Sequence, residues 1–482
     1  MRDFRSVLYI IGILLCIESI ALLLPMIIDL YHGNSDWQIF LFSSIVTFIV
    51  GLVLYFSFYK KIKKIKIREA FFLTLISWIV IAVFASLPFI YSASNLSYSD
   101  AFFEAISGIT TTGATVISDI NNLPEGILIW RSLLQWFGGI GILLLALAIL
   151  PTLQIGGMQL LHMEHDDPYE KTLPKINQFV FEILIIYIIL TLVCAILYYI
   201  YGMSGFDAVS HAMTTISTGG FSTKDASFAT FQSINIEFIC VIFMILGSLP
   251  FVLYLKLTHG DLKSLLKDDQ IKLFVFILVL LIVITTFWLN INYDKNIIYS
   301  LRISIFNITS IMTGTGYTNA NYDNWGSFGI ITIFIIMFIG GCAGSTTGGI
   351  KIFRLQLLFR GAKAQIKKLT QPHGVFVTTF NNKTVGEDTF NSIMFFFFMY
   401  ILIFILSAVL LSFYNIDFLT SLSASASAIS NVGPGIGKII GPNGNYSSIP
   451  DSAKWILSIT MLIGRLELFT FLVLLSSNFW KK

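Results

Sequence analysis

Long apolar runs separated by short polar or charged stretches dominate the chain. A helix needs about 20 predominantly apolar residues to cross the hydrocarbon core of a bilayer. Runs of that kind fall at residues 7–30, 37–59, 70–90, 127–150, 179–200, 236–255, 271–289, 326–358, 393–413 and 455–479. They predict ten membrane spans, and an even number returns both termini to one side. A second pattern lies between the third and fourth runs, in "SNLSYSDAFFEAISGITTTGATVISDINNLPEG", a segment too long for a tight turn and too polar to span. Similar segments recur at Gly205–Asp225, Ile298–Asp323 and Asn415–Gly437.

Aligned on a central glycine, the four segments read "TTGA", "STGG", "GTGY" and "NVGP", with Gly113, Gly219, Gly316 and Gly433 in register. A spacing of about 100 residues marks four diverged copies of one unit, and internal repetition of this kind takes precedence over other fold readings. Each unit is expected to hold a span, a short half-helix, a Gly-centred strip and a second span. The predicted division is 1–68 for two additional spans and a basic loop, then 69–151, 176–257, 271–360 and 387–482 for the four units. Asp100, Asp207 and Asp417 stand near the expected starts of three half-helices, where a carboxylate complements the partial positive charge of a helix N-terminus. The third copy has Arg302 at that place.

Composition agrees with the pattern. Hydrophobic residues make up 56%, charged residues 12%, and the mean hydropathy is +0.81, against roughly one-quarter charged residues in a soluble domain. The fold class predicted is an all-α polytopic membrane protein. The net charge of +3 matters less than its placement. The basic loops Lys60–Arg68, Lys256–Lys272 and Arg354–Lys368 fall on the side of the termini, which the positive-inside rule makes cytoplasmic. The four polar segments then enter from outside. The first run has a basic start but no small-residue cleavage site, so a retained span is expected in place of a signal peptide. Cys16, Cys194, Cys240 and Cys342 are scattered through apolar or Gly-rich sequence without ligand spacing and read as buried apolar residues.

Irregular backbone at membrane depth is tolerated only where it is buried in protein or lines a wet cavity. Four re-entrant half-helices around one axis would aim their partially negative C-terminal ends at a shared centre, which favours a cation. The strips carry Thr, Ser and Gly with no carboxylate at their central positions. Main-chain carbonyls are therefore the expected ligands, as in potassium filters, and not a carboxylate ring.

The set "TTTGATV", "TISTGGFST", "MTGTGYTNA" and "SNVGPGIG" resembles the Trk/Ktr/HKT superfamily of potassium transporters. With its two additional N-terminal spans the chain is most similar to the bacterial TrkH-type membrane subunits. The resemblance implies four helix, pore-loop, helix units around one pore, K+ as the transported ion with no covalently bound cofactor, and a bacterial inner-membrane location. It also implies a homodimer and a cytosolic nucleotide-binding ring of the TrkA type as partners. Carried onto this sequence, the potassium-binding filter would comprise Thr111, Thr112 and Gly113; Ser217, Thr218 and Gly219; Gly314, Thr315 and Gly316; and Asn431, Val432 and Gly433. In related plant proteins a serine at the first-loop glycine accompanies sodium preference, so Gly113 favours potassium. One glycine per loop in register suggests looser selectivity than a four-fold TVGYG filter.

The eighth run is interrupted by "GGCAGSTTGGIK", Gly340 to Lys351. Each glycine there costs a helix roughly 1 kcal/mol relative to alanine, so a loop inside the membrane is expected. Arg465 stands in the middle of the last run, where an intramembrane charge usually marks an ion path. Glu467 would lie about 200° around a continuous helix from it, which makes the loop's carbonyls and hydroxyls its expected partners. The resemblance implies that Gly340, Gly341, Gly344, Ser345, Thr346, Thr347, Gly348, Gly349 and Lys351, with Arg465, form a gate below the filter.

Three other signals carry less. His162 and His165 beside Asp166 and Asp167 suit no common zinc site and read as a solvated linker. "GPGIG" from Gly433 lacks a βαβ setting, and the Gly340 loop lacks the G-K-[ST] ending of a phosphate loop. No hydrolase triad or catalytic carboxylate pair stands out, so an enzyme is not expected. The alternative to a channel-like pore is a sodium- or proton-coupled carrier with a midplane site.

Overall fold

The computed structural model describes residues 4–59, 66–145, 174–293, 296–381 and 383–480, so the His162 to Asp167 cluster lies outside the described residues. Two N-terminal spans come first. Helices α1 (Arg5–Ala21) and α2 (Leu23–His32) form one bent span, and α3 (Trp37–Phe58) returns beside it. Small residues permit the close approach: a side chain on Gly12 or Gly51 would run into the backbone of the facing helix.

The remaining helices repeat one order. A long helix is followed by a short one that turns back, an irregular strip, and a second longer helix. The first set is α4 (Ile67–Ala85) with α5 (Leu87–Tyr91), then α6 (Tyr98–Ile109) and α7 (Glu125–Leu144). The second is α8 (Pro174–Ile200), α9 (Gly205–Ile216), α10 (Ile234–Ser248) and α11 (Phe251–Thr258). After α12 (Leu262–Lys267) the third set is α13 (Asp269–Tyr293), α14 (Ile297–Met312), α15 (Gly326–Met337) and α16 (Ile352–Thr370). A two-residue hairpin, β1 (Thr379–Phe380) paired antiparallel with β2 (Lys383–Thr384), precedes the last set. That set is α17 (Glu387–Ser412), α18 (Phe418–Ser430), α19 (Asp451–Arg465) and α20 (Leu468–Leu475).

Among the described residues seven helices are long and apolar enough to cross a membrane, or nine if two bent pairs each count as one span. Nine of the ten expected runs are matched in this way, two of them broken; the eighth, whose interruption was expected, supplies among the described residues no single helix long and apolar enough to cross. The sixth run does not continue through 236–255: α10 and α11 meet at 93°. Pro250 explains the break, because it forces Leu249 into extended backbone and donates no hydrogen bond. The last run is not continuous either, since α19 and α20 meet at 111° and Glu467 between them has φ +59°. Arg465 therefore ends a helix and does not sit within one. The eighth run is interrupted as expected, by residues 338–351 between α15 and α16.

The short helices are capped where the sequence changes from polar to apolar. Ser97, Ser204 and Asp417 each accept a backbone N–H of the first turn, and Asp100 and Asp207 follow in the first turns of their helices. The third copy corrects the expectation for Arg302. Its helix begins at Ile297 behind the cap Asn296, so Arg302 lies in the second turn and forms a two-pronged pair with Glu237 at 2.7 and 2.7 Å.

Candidate functional site

The four strips that follow α6, α9, α14 and α18 share one backbone course. Thr111, Thr218, Gly314 and Asn431 all take left-handed φ, at 52°, 51°, 70° and 55°, and two residues later Gly113, Gly220, Gly316 and Gly433 take 83°, 79°, 81° and 100°. The hydrogen bonds keep the same count. Ser107 O accepts from Thr112 and Gly113, Thr214 O from Gly219 and Gly220, Ser310 O from Thr315 and Gly316, and Ser427 O from Val432. The glycine that matches Gly113 is therefore Gly220, not Gly219. The matching triple in the second strip is Thr218, Gly219 and Gly220, with Ser217 one position before it. Counting four residues from the last apolar residue of each half-helix, Ile109, Ile216, Met312 and Ile429, gives this register directly. Aligning on the first glycine of the pair gave the wrong one.

The strips close a ring. A Cβ on Gly113 would collide with Gly219 O, one on Gly220 with Thr315 O, one on Gly316 with Val432 O, and one on Gly433 with Thr112 O. Each strip thus meets the next in chain order, and the fourth meets the first. Thr111, Thr112, Thr218, Thr315, Asn431 and Val432 of the ring are buried, while Gly113, Gly220 and Gly316 are partly exposed. Among the described residues no protein donor reaches the carbonyl oxygens of Thr111, Thr218, Gly314 or Asn431. Buried carbonyls are ordinarily paired, so these oxygens suit a ligand that accepts electron density, such as a cation.

Side chains brace the ring from behind. Gln135 of α7 donates from Nε2 to Gly219 O at 2.6 Å and accepts Phe221 N at 2.9 Å. Glu104 accepts Arg131 Nε and Val116 N, both at 2.9 Å, while Arg131 Nη1 donates to Ser222 O at 3.0 Å and its guanidinium covers the Phe221 ring at 4.1 Å. Tyr446 Oη donates to Gly433 O at 2.9 Å, and Tyr317 is hydrogen-bonded to Thr214. Sequence reasoning missed all of these. The signal was present for Arg131 and Gln135, two polar residues four apart inside an apolar run, hence on one helix face.

Beneath the ring, residues 340–349 form the irregular segment expected there, held on all sides. Cys342 N donates to Ser248 O at 3.0 Å, Ala343 N to Gln270 Oε1 at 2.9 Å, and Gly344 O accepts Phe251 N at 2.9 Å. The breaks in α10–α11 thus supply partners to the loop. Thr346 Oγ1 donates to Ile216 O and Gly247 O, each at 3.0 Å, and accepts from Thr218 Oγ1 at 3.2 Å. Gly341 N donates to Thr347 Oγ1 at 3.0 Å, and Ser345 and Thr347 hydroxyls meet at 2.9 Å. Lys351 donates to the Thr347 carbonyl. Arg465 Nη1 donates to Thr346 O at 2.9 Å, the carbonyl partnership that the helical geometry suggested. Glu467 pairs instead with Arg354 at 2.8 Å. A small crevice beside the loop is lined by Ser345, Thr347, Gly348, Lys351, Arg465 and Glu467 among others. Gly340 and Gly349 pack against each other, and Gly348 lies against Ser430, the last residue of α18, and Asn431 of the fourth strip.

Comparison with known proteins gives one result throughout. The TrkH family, described as cation transport protein, matches residues 37–482. The Trk system potassium uptake protein TrkI of Halomonas elongata is 38% identical over 483 residues, 100% of this chain and 98% of its own length. The Trk system potassium uptake protein TrkH of Escherichia coli K12 is 36% identical over 99% of this chain and 100% of its own. Among solved structures, the crystal structure of the potassium transporter TrkH from Vibrio parahaemolyticus superposes with a TM-score of 0.92 at 35% identity, covering 100% of both chains.

Proposed function

Because this chain belongs to the TrkH family of cation transport proteins, a family of transporters and not of enzymes, we propose that it carries potassium inward across a bacterial plasma membrane through the ring of strips. The relatives named as potassium uptake proteins support the ion. One observation carries the path: four strips meet in cyclic order and, among the described residues, leave the carbonyls of the buried residues Thr111, Thr218, Gly314 and Asn431 without protein donors. Such oxygens can replace the hydration shell of a weakly hydrated cation. The half-helices add their negative ends. The division into units 69–151, 176–257, 271–360 and 387–482 behind two extra spans belongs to the same reading, as does a cytoplasmic placement of the basic loops.

The loop of residues 340–349 is the gate in this reading, with Arg465 as its latch. It lies against the second and fourth strips and is held by two buried basic side chains outside it, Lys351 and Arg465; the Arg465 charge would repel a permeating cation while the loop stays in place. A coupled carrier would normally use titratable or carboxylate groups at membrane depth, and the ring positions 111–113, 218–220, 314–316 and 431–433 carry none. A second copy of the chain and a cytosolic nucleotide-binding ring complete the proposed assembly. The test is potassium-limited growth of a cell lacking potassium uptake: this chain should restore growth, and Gly113→Ser should restore it less while admitting more sodium. No rescue by a chain that reaches the membrane would refute potassium uptake, and an unaltered ion ratio in Gly113→Ser would refute the filter.

A further inference from the structure

Asn431 differs from its counterparts Thr111, Thr218 and Gly314 in reaching out of its own strip in two directions. It holds left-handed backbone, φ +55°, a conformation that asparagine tolerates better than most residues. Its side chain is buried at 1% exposure. Nδ2 donates to Thr112 Oγ1 of the first strip at 2.9 Å and to Met461 O of α19 at 3.0 Å. A carbonyl only accepts, so the Met461 contact fixes which way the amide points. A Cβ on Gly348 of the loop would stand 3.0 Å from the Asn431 Cβ, so the loop also runs against this residue.

Met461 is four residues before Arg465, hence on the same face of α19. That last turn therefore holds the loop through Arg465 and the fourth strip through Met461. Any tilt or rotation that withdraws the guanidinium from Thr346 O carries the Met461 carbonyl with it. The contact to Asn431 begins at 3.0 Å and weakens as it lengthens. We propose that Asn431 is a positioning residue that sets the spacing of the fourth strip against the first and alters it when α19 releases the loop, so that ion discrimination depends on loop position. This rests on the filter-and-gate reading above.

The experiment is the potassium-to-sodium permeability ratio of the full chain in liposomes, from reversal potentials under bi-ionic gradients. Asn431→Gly keeps left-handed backbone accessible and removes both contacts, and should lower the ratio roughly fivefold, as expected for the loss of a positioning hydrogen bond. Arg465→Ala should move the ratio in the same direction, and the double variant should move it no further than Asn431→Gly alone. A wild-type ratio in Asn431→Gly, or full additivity in the double variant, overturns the proposal. If Asn431→Gly fails to reach the membrane, Thr112→Val removes the first-strip contact together with the hydroxyl pair to Thr110 and must lower the ratio more than Thr110→Val, which breaks that pair but leaves the Asn431 contact. Gly113→Ser separates the two readings: if it leaves the ratio unchanged the filter itself is wrong, whereas if it shifts the ratio and Asn431→Gly does not, only the role of Asn431 falls.

Discussion

Two adjacent glycines with different duties illustrate what single residues decide here. Gly220 has φ +79° and faces Thr315 O of the next strip, whereas Gly219 would press a side chain onto Gln135. A flexible side chain can yield where a backbone carbonyl cannot, and a left-handed non-glycine residue adds its own strain. Gly220→Ala should therefore cut rubidium uptake about tenfold or more at normal membrane expression, and Gly219→Ala should cut it less. Equal losses in the two variants would contradict the register drawn from the backbone angles.

At the scale of elements, the half-helices depend on their caps and the loop depends on its neighbours. Asp417 accepts Thr420 N at 3.0 Å, and its hydrogen bonding with Thr420 is the leading cause that holds its carboxyl below the usual range. A carboxyl lowered on folding contributes stability above its unfolded value of about 3.9, and that contribution is lost as pH falls through the lower folded value. Asp417→Ala should cost about 1 kcal/mol of stability, while Asp417→Asn keeps an accepting oxygen and should cost less and lose the acid-side dependence. Thermal unfolding in detergent at neutral and acid pH checks both. For the loop, Gln270→Ala removes the acceptor of Ala343 N. If the segment is a gate, basal potassium flux should rise as in Arg465→Ala; unchanged flux would show that the Gln270 contact does not restrain it.

The whole molecule is tied together by contacts that cross from one unit to the next. Arg131 joins Glu104 of its own unit to Ser222 of the second strip, both side chains of the ion pair being buried. Removing one member leaves a buried charge, which costs about 3–5 kcal/mol. Arg131→Ala should therefore lower the unfolding temperature more than Glu104→Ala with Arg131→Ala together. A double variant as unstable as the sum of the single ones would mean that the two side chains do not act as a pair. Lys454, buried between Asp100 at 2.5 Å and Ser447 O at 3.1 Å, makes a comparable link between the first and last units.

The membrane spans, the four polar segments and the break at residues 340–349 were legible from the sequence, because apolar length and glycine content act locally. Arg465 could be singled out for the same reason, since a charge inside an apolar run is visible without neighbours. Which glycine of the pair matches Gly113 was settled by the backbone angles, since Gly220 and not Gly219 takes left-handed φ, although the count from the last apolar residue of each half-helix carries the same register. The break at Leu249–Pro250 is held because Phe251 N finds Gly344 O far along the chain, and the turn at Leu466–Glu467 brings the Glu467 carboxylate to Arg354. Pattern along a chain specifies which stretches are apolar and where helices can start; it holds no distances between stretches. The closure of the ring and the seat of the loop are such distances, and tertiary packing alone determined them.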